Sequence, residues 1–513
     1  MKVSMRLKIS VWPWVAALVL LWVWGLGQAP LFDVDEGAFA EASREMLTSG
    51  DWGHTTLNGA DRFDKPIFIY WFQAASMALF GVNEWAVRLP SALASVVWCL
   101  AVGSFAARWL GSGAGRLGAG MMATCLGVML IGRASTADAM LNTLITLTCL
   151  DLWRHIESGQ TTPLRRAYFW MALGALTKGP IALLVPMAAT GLYLVTQRDW
   201  ARIKTTWLDV PGWLIFTVVA VPWYAYALNR FGMTFVEGFI LKHNVNRFAK
   251  PMEGHGGSVG YYFLMLPLLL WPWGAGLVPA VARIKAAWHE PVSRFLWCWA
   301  GFVLVFFSFS GTKLPHYAMY GLTPLVLLIA HELFKRPGKG LAMGLAGLQL
   351  ALIGLLASSE PLAHFLATKT KDVLALGVLS GAHDGPALWL AAVLAVALLA
   401  VWCIKRWSVA DRAWVSSGLL ALWVVQVVIP WWAITMQGPV RDLALVAKAR
   451  GGPVSQWMVH QPSLAFYLQQ PALRADPVPG GMALSRMDRL EKQTLPVEVI
   501  QQSGGWVLVQ RKP

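Results

Sequence analysis

Charge is scarce in this chain. Asp, Glu, Lys and Arg make up 13% of its 513 residues, roughly half the ~25% of an average soluble domain. That scarcity excludes an ordinary water-soluble surface and a disordered, charge-rich chain alike. Acidic residues are scarcer still, 27 against 42 Lys and Arg, for a net charge of +15. An excess of that size suits nucleic acid when it is gathered on one face or tail. Here it falls in short clusters between apolar runs, the positive-inside pattern of membrane proteins, so no nucleic-acid partner is expected. Cysteine is rare as well: Cys99, Cys125, Cys149, Cys298 and Cys403 sit in or beside apolar runs with no Cys-x-x-Cys, which excludes a disulfide framework and a cysteine-bound metal. The chain has no Walker, His-Glu-x-x-His or Gly-x-Ser-x-Gly motif. It therefore lacks nucleotide and serine-hydrolase chemistry, and its reactants are expected to arrive through the membrane. One Gly-x-Gly-x-x-Gly match, at Gly113, Gly115 and Gly118, follows no strand and is not a dinucleotide site.

What is abundant is apolar: 57% hydrophobic residues, with 29 Trp. A window of roughly 20 apolar residues per crossing yields about thirteen candidate helices between residues 10 and 433, predicting an all-α polytopic membrane protein. Basic clusters such as Lys2/Arg6/Lys8, Arg108/Arg116, Arg154/Arg165/Arg166 and Lys405/Arg406/Arg412 occupy every second gap. Those gaps are expected to be cytoplasmic, with the N-terminus inside and the C-terminus outside. Nearly all the unusual polar motifs then share the outer side. Almost no ionisable residue falls in mid-span, which argues against an ion-relay transporter.

The first outer segment opens on Asp33-Val34-Asp35-Glu36. Asp33 and Glu36 fit a capping box for a helix ending at Ser49-Gly50, which leaves Asp35 free to face a cavity as a base or an acceptor-binding carboxylate. A second apolar stretch, Pro66 to Phe80, is too short to span and is expected to lie at the interface, so that loop helices cover about residues 33–80. The expected catalytic carboxylates are Asp35, Asp138 and Glu36. Arg133, Lys65, Lys178, His243, Arg247, Lys313, His316 and Tyr317 surround them from loops distant in sequence. Such a set of cations suits an anionic, phosphate-bearing headgroup. Asp64 with His243, or His255 with Glu253, could ligate a metal, but neither pair has diagnostic spacing. From 436 to 513 the composition turns to alternating short helices and strands, which predicts a small α/β domain outside the membrane beside a transmembrane domain over 1–435. Its expected elements include a strand from Pro453, a helix from Pro462, a helix over Ser485–Lys492 and a hairpin around Ser503-Gly504-Gly505.

The stretch from Asp33 to Leu47, followed by Phe63-Asp64-Lys65-Pro66, resembles the first outer loop of the lipid A aminoarabinose transferases. These belong to the GT-C superfamily, which includes the protein O-mannosyltransferases. The resemblance continues through Thr136-Ala137-Asp138, Thr177-Lys178-Gly179, His243 to Phe248 and Lys313 to Tyr317. It implies a bacterial inner-membrane glycosyltransferase with a periplasmic active site. Such an enzyme moves a sugar from a polyprenyl (undecaprenyl) phosphate donor to lipid A or another envelope glycolipid among the membrane lipids. It further implies that Asp35 and Asp138 line the reaction cavity and that Lys65, Arg247 and Tyr317 lie near the donor phosphate. Asp64 and His243 match a metal position of the family, where a Glu would be expected at 64. No cofactor is required, with a divalent metal left open. A flippase for lipid-linked sugars and a protein O-mannosyltransferase are the alternatives.

Overall fold

The computed structural model describes residues 12–251, 256–370, 372–382, 388–490 and 494–512; Lys2, Arg6, Lys8, Glu253 and His255 lie outside these. Helices dominate it. Among the described residues six helices are long and apolar enough to cross a membrane, or up to eight if two bent pairs, Ser112–Thr124 with Leu126–Gly132 and Tyr261–Leu269 with Trp273–Ala282, each count as one crossing. That is fewer than the roughly thirteen apolar runs of the sequence. The difference lies in helices such as Asp138–Ser158 and Thr161–Lys178, which carry charge toward their ends, and in apolar helices as short as Ile181–Gln197 and Leu388–Cys403. Asp151 of the first accepts from Arg154, Arg166 and the Trp170 indole.

Four helices open the chain: α1 (Trp12–Val23), α2 (Asp35–Ser49), α3 (Phe68–Phe80) and α4 (Glu84–Leu110). The Asn83 side chain caps α4 by accepting from the Ala86 N–H at 2.9 Å, and Gly111 at φ 102° stops it. Helix Ser112–Thr124 then folds back along α4, and here the glycine motif has its use. A Cβ at Gly115 would stand 2.8 Å from the Ala107 methyl, and one at Gly118 2.9 Å from that of Ala106. Small residues at such spacing let two membrane helices approach backbone to backbone. Gly115→Leu is therefore expected to destabilise the protein by at least the ~1–3 kcal/mol of an overpacked core, read as a lowered melting temperature in detergent.

Helix α2 differs from its expected form. Rather than lying amphipathically on the membrane, it is buried from Glu36 to Met46. Glu41 and Arg44 pair with each other within it at 2.7 Å. Its stop at Gly50, φ 72°, is where the sequence put it, but the capping box is not formed. Val34 is the cap, with no side-chain hydrogen bond, and Asp33 turns away to accept from the Ser463 N–H at 2.9 Å. Glu36 accepts instead from the Phe32 N–H at 2.9 Å, one residue before the expected cap. Between α2 and α3 runs a short ribbon, β1 (Thr56–Leu57) with β2 (Ala60–Asp61).

Helix Ile429–Arg450 runs without a break through 435/436 and leads into a four-stranded sheet. Its strands are β3 (Val454–Gln456), β4 (Met482–Arg486), β5 (Val497–Ser503) and β6 (Trp506–Arg511), in the order β3-β4-β6-β5. β3 and β4 are parallel, with helix Ser463–Leu468 in the crossover; the other pairs are antiparallel. Strand β4 has no counterpart in the sequence reading, which started a helix at Ser485; that helix is present as Met487–Leu490, after the strand ends at Arg486. Met-Ala-Leu-Ser-Arg carries no β-branched residue, and partners on both sides make it a strand against its weak propensity. Leu31, Ala40 and Met77 of the first segment share one core with Val440, Leu443, Leu464, Phe466, Leu484 and Leu508. Hydrogen bonds from the Leu31 N–H to the Tyr467 hydroxyl (2.8 Å) and from the Ala472 N–H to the Asn58 side chain (2.9 Å) fasten the same contact.

Candidate active site

Two concavities meet on one side of the helical body. The first is an apolar groove of 330 Å³ whose walls include Leu184, Phe239, Ile240, Phe248, Phe306 and Phe307, with Tyr317 and Tyr320. The second is a polar cavity of 480 Å³ between the first segment, the helix N-terminus at Asp138 and the C-terminal sheet unit. Asp64, Lys65, Lys178, His243 and Arg247 line both. Asp35, Arg62, Thr136, Asp138, His316 and His460 line the polar cavity alone.

Each lining group is delivered by a helix end or a loop. Asp138 opens helix Asp138–Ser158 and Lys178 closes Thr161–Lys178, ends whose dipoles favour those charges. The Lys178 ammonium donates to Asp138 Oδ1 in a close contact. The His316 Nε2 lies 4.0 Å from the same oxygen, and the Thr136 hydroxyl donates to Oδ2 at 3.3 Å. Lys178 also faces the rings of Tyr317 and Tyr320, at 6.0 and 5.9 Å from their centroids. His243 sits on a wide π-type helix, Val236–Asn246, a form that recurs at functional sites. Its Nε2 lies 2.8 Å from Asp64 Oδ1, and Arg62 holds Oδ2 at 3.0 Å. Burial alone would raise the Asp64 carboxyl, but the His243 hydrogen bond and the charges of Arg62, His243 and Lys65 outweigh it and hold it below the usual carboxylate range.

Lys65 is the reverse case. Burial, joined by the charges of Lys178, Arg247 and Arg62, pushes its ammonium down to about 7 despite the opposing pull of Asp64. A phosphate brought beside it would restore the charged form. A phosphate monoester binding beside Lys65 is therefore expected to bring proton uptake near pH 8. Between pH 7 and 9, where a phosphomonoester with a second pKa of ~6 is already dianionic, its affinity should fall with rising pH by at most about tenfold per unit. Calorimetry in buffers of different ionisation enthalpy reads the uptake, and Lys65→Gln should abolish it.

Asp35 stands apart from these pairs. It lies exposed on the first turn of α2, lines the polar cavity, and makes no hydrogen bond or ion pair among the described residues.

Three residues expected at the site are elsewhere. Glu36 turns away from the cavity into a buried two-bonded pair with Arg88, at 2.9 and 2.8 Å, and also accepts from the Ser135 N–H at 2.7 Å. Arg133 donates to the carbonyls of Leu21, Trp22 and Trp24 at 3.0–3.2 Å, closing the C-terminal end of α1. Lys313 does the same for helix Pro291–Ser308, reaching the Ser308 and Ser310 carbonyls at 2.9 and 2.8 Å. The metal position does not fit a metal either. Asp64 and His243 offer two donors already bonded to each other, with the Arg62 cation on the second carboxylate oxygen. Among the described residues no group of three His, Cys, Asp or Glu side chains gathers there. The pair Glu253 and His255 lies outside the described residues.

The dolichyl-phosphate-mannose-protein mannosyltransferase family model matches residues 64–226. The undecaprenyl phosphate-α-4-amino-4-deoxy-L-arabinose arabinosyl transferase of Pseudomonas paraeruginosa is 30% identical over 437 residues, 81% of this chain and 74% of the relative. The chain belongs to this aminoarabinose transferase family. The Aeromonas salmonicida enzyme of the same description is likewise 30% identical, over 83% of this chain and 77% of its own. The crystal structure of ArnT from Cupriavidus metallidurans bound to undecaprenyl phosphate superposes with a TM-score of 0.80 at 21% identity, covering 98% of this chain and 97% of that one. The likeness to that structure is one of fold.

In this transferase-family chain the sequence reading missed Arg62, Thr136 and His460, together with the phenylalanines of the groove. Arg62 stands three residues before Lys65 and could have been read with it as part of one cationic edge. Nothing local marks His460, because only the folding of the C-terminal unit onto α2 brings it to the cavity.

Proposed function

We propose that the chain transfers a sugar of the 4-amino-4-deoxy-L-arabinose class from undecaprenyl phosphate to lipid A at the periplasmic face of the bacterial inner membrane. One observation carries this reading: an apolar groove and a polar cavity share Asp64, Lys65, Lys178, His243 and Arg247. A polyprenyl tail fits the groove, its phosphate meets the shared cations, and its sugar projects into the polar cavity. A phosphate leaving group needs stabilisation of developing negative charge rather than a proton donor, and Lys65, Lys178 and Arg247 are placed to provide it. Asp138 orients Lys178. Asp35, which lines the cavity and makes no ion pair among the described residues, takes the proton of an acceptor hydroxyl or aligns an acceptor that is already anionic.

The topology that fits is about thirteen crossings, a cytoplasmic N-terminus and an outward C-terminus. Residues 1–435 would form the membrane domain and 436–513 the unit that covers the site. Mass spectrometry of lipid A from cells lacking the gene, complemented by wild type or by Lys178→Met, tests the reading. An aminoarabinose adduct restored by wild type alone supports it. Unchanged lipid A with a labelled envelope protein would point to a protein O-mannosyltransferase, and lipid-linked sugar accumulating on one leaflet to a flippase.

A further inference from the structure

The C-terminal unit does more than cover the cavity. His460 lines the polar lobe and is absent from the lining of the apolar groove, so it lies on the side away from the polyprenyl path. The other two histidines of that lobe are engaged, His243 with Asp64 at 2.8 Å and His316 facing Asp138 at 4.0 Å. His460 makes no hydrogen bond among the described residues, and its buried Nδ1 has no partner. Burial, joined by the charges of Arg474 and Arg62 and opposed by Asp64, disfavours a charge on its ring.

The backbone that carries His460 is held on both sides. Strand β3 ends in Gln456, whose buried side chain donates to the Ala472 carbonyl at 2.8 Å and accepts from the Gln461 N–H at 2.7 Å. Two residues further on, the Ser463 N–H is bound by Asp33 at 2.9 Å. Gly37 makes this approach possible: a Cβ there would stand 2.5 Å from the Ser463 nitrogen, so only glycine lets the C-terminal loop lie against α2. A histidine in such a clamped loop, pointed at a cavity and not otherwise bonded, is pre-organised to meet a ligand.

We propose that His460 is an acceptor-contacting residue, donating a ring N–H to an anionic group on the acceptor beside Arg62, so that the C-terminal unit adds a contact of its own to the acceptor side that Asp35 and Arg62 also line. This rests on the transferase reading given above.

The test uses the full-length purified protein with undecaprenyl phosphate-α-4-amino-4-deoxy-L-arabinose and lipid A, comparing wild type with His460→Ala, His460→Asn and His460→Gln. His460→Ala should raise the KM for lipid A at least tenfold. Its KM for the donor, its affinity for undecaprenyl phosphate and its melting temperature should stay at wild-type values. At least one of the two amide variants, each placing an N–H donor near one ring nitrogen, should bring the lipid A KM back to within threefold. Wild-type transfer with an unchanged lipid A KM in His460→Ala, or a donor KM that rises in step with it, overturns the assignment of His460 and leaves the transferase reading standing. Absence of transfer to lipid A by wild type overturns both.

Discussion

Replacing Lys178 by Met is expected to lower kcat/KM for sugar transfer by about two orders of magnitude or more. Lys178 lines both the groove and the polar cavity, and its ammonium rests on Asp138, whose side chain is 12% exposed. Its loss removes a cation from the departing phosphate, a contribution that typically amounts to ~10²–10³ in rate. It also leaves the Asp138 carboxylate unpaired beside that phosphate, where breaking a buried pair costs about 3–5 kcal/mol. The two consequences can be separated. Lys178→Met with Asp138→Asn should regain most of the lost melting temperature, because no bare charge remains, yet stay as slow as the single variant. A double variant that transfers sugar at more than a tenth of the wild-type rate would mean that Lys178 serves only to neutralise Asp138.

Asp35→Asn should behave in the opposite way. Asp35 is exposed and makes no hydrogen bond or ion pair among the described residues, so its replacement is expected to leave the melting temperature and the affinity for undecaprenyl phosphate unchanged. The lost general base is expected to lower kcat by roughly 10²–10⁴. A kcat within threefold of wild type would remove Asp35 from the chemistry. Together the two variants distinguish a residue whose charge is woven into the fold from one held ready for the reaction.

The same contrast explains how far the site could be read from sequence. Asp35, Asp64, Lys65, Asp138, Lys178, His243, Arg247 and His316 were legible because charge beside apolar runs, confined to one side, has few structural uses, and all eight line one cavity. Glu36, Arg133 and Lys313 met the same criterion and lie outside it. A cation that closes a helix end and a cation that faces a ligand both sit just beyond an apolar helix. Only the three-dimensional path of the backbone tells them apart. Strand β4 was invisible for a related reason, since its residues have little intrinsic strand preference and owe their conformation to β3 and β6. The helical class, the helix ending at Ser49 and the β5–β6 hairpin depended on local signals, namely hydropathy, a glycine stop and a Gly504-Gly505 turn, and each is present.

The core shared by Leu31, Ala40 and Met77 with Leu464, Leu484 and Leu508 has a bearing on biosynthesis. A chain emerges from the ribosome N-terminal end first at ~5–20 residues per second, so the first outer segment waits some tens of seconds before the residues that cover it exist. Until helix Ser463–Leu468 arrives and packs on it, α2 lacks this cover and His460 is not yet in place. The polar cavity is thus among the last features of the molecule to form, and a chain released before residue 460 would carry Asp35, Lys65 and Lys178 without the side that His460 lines.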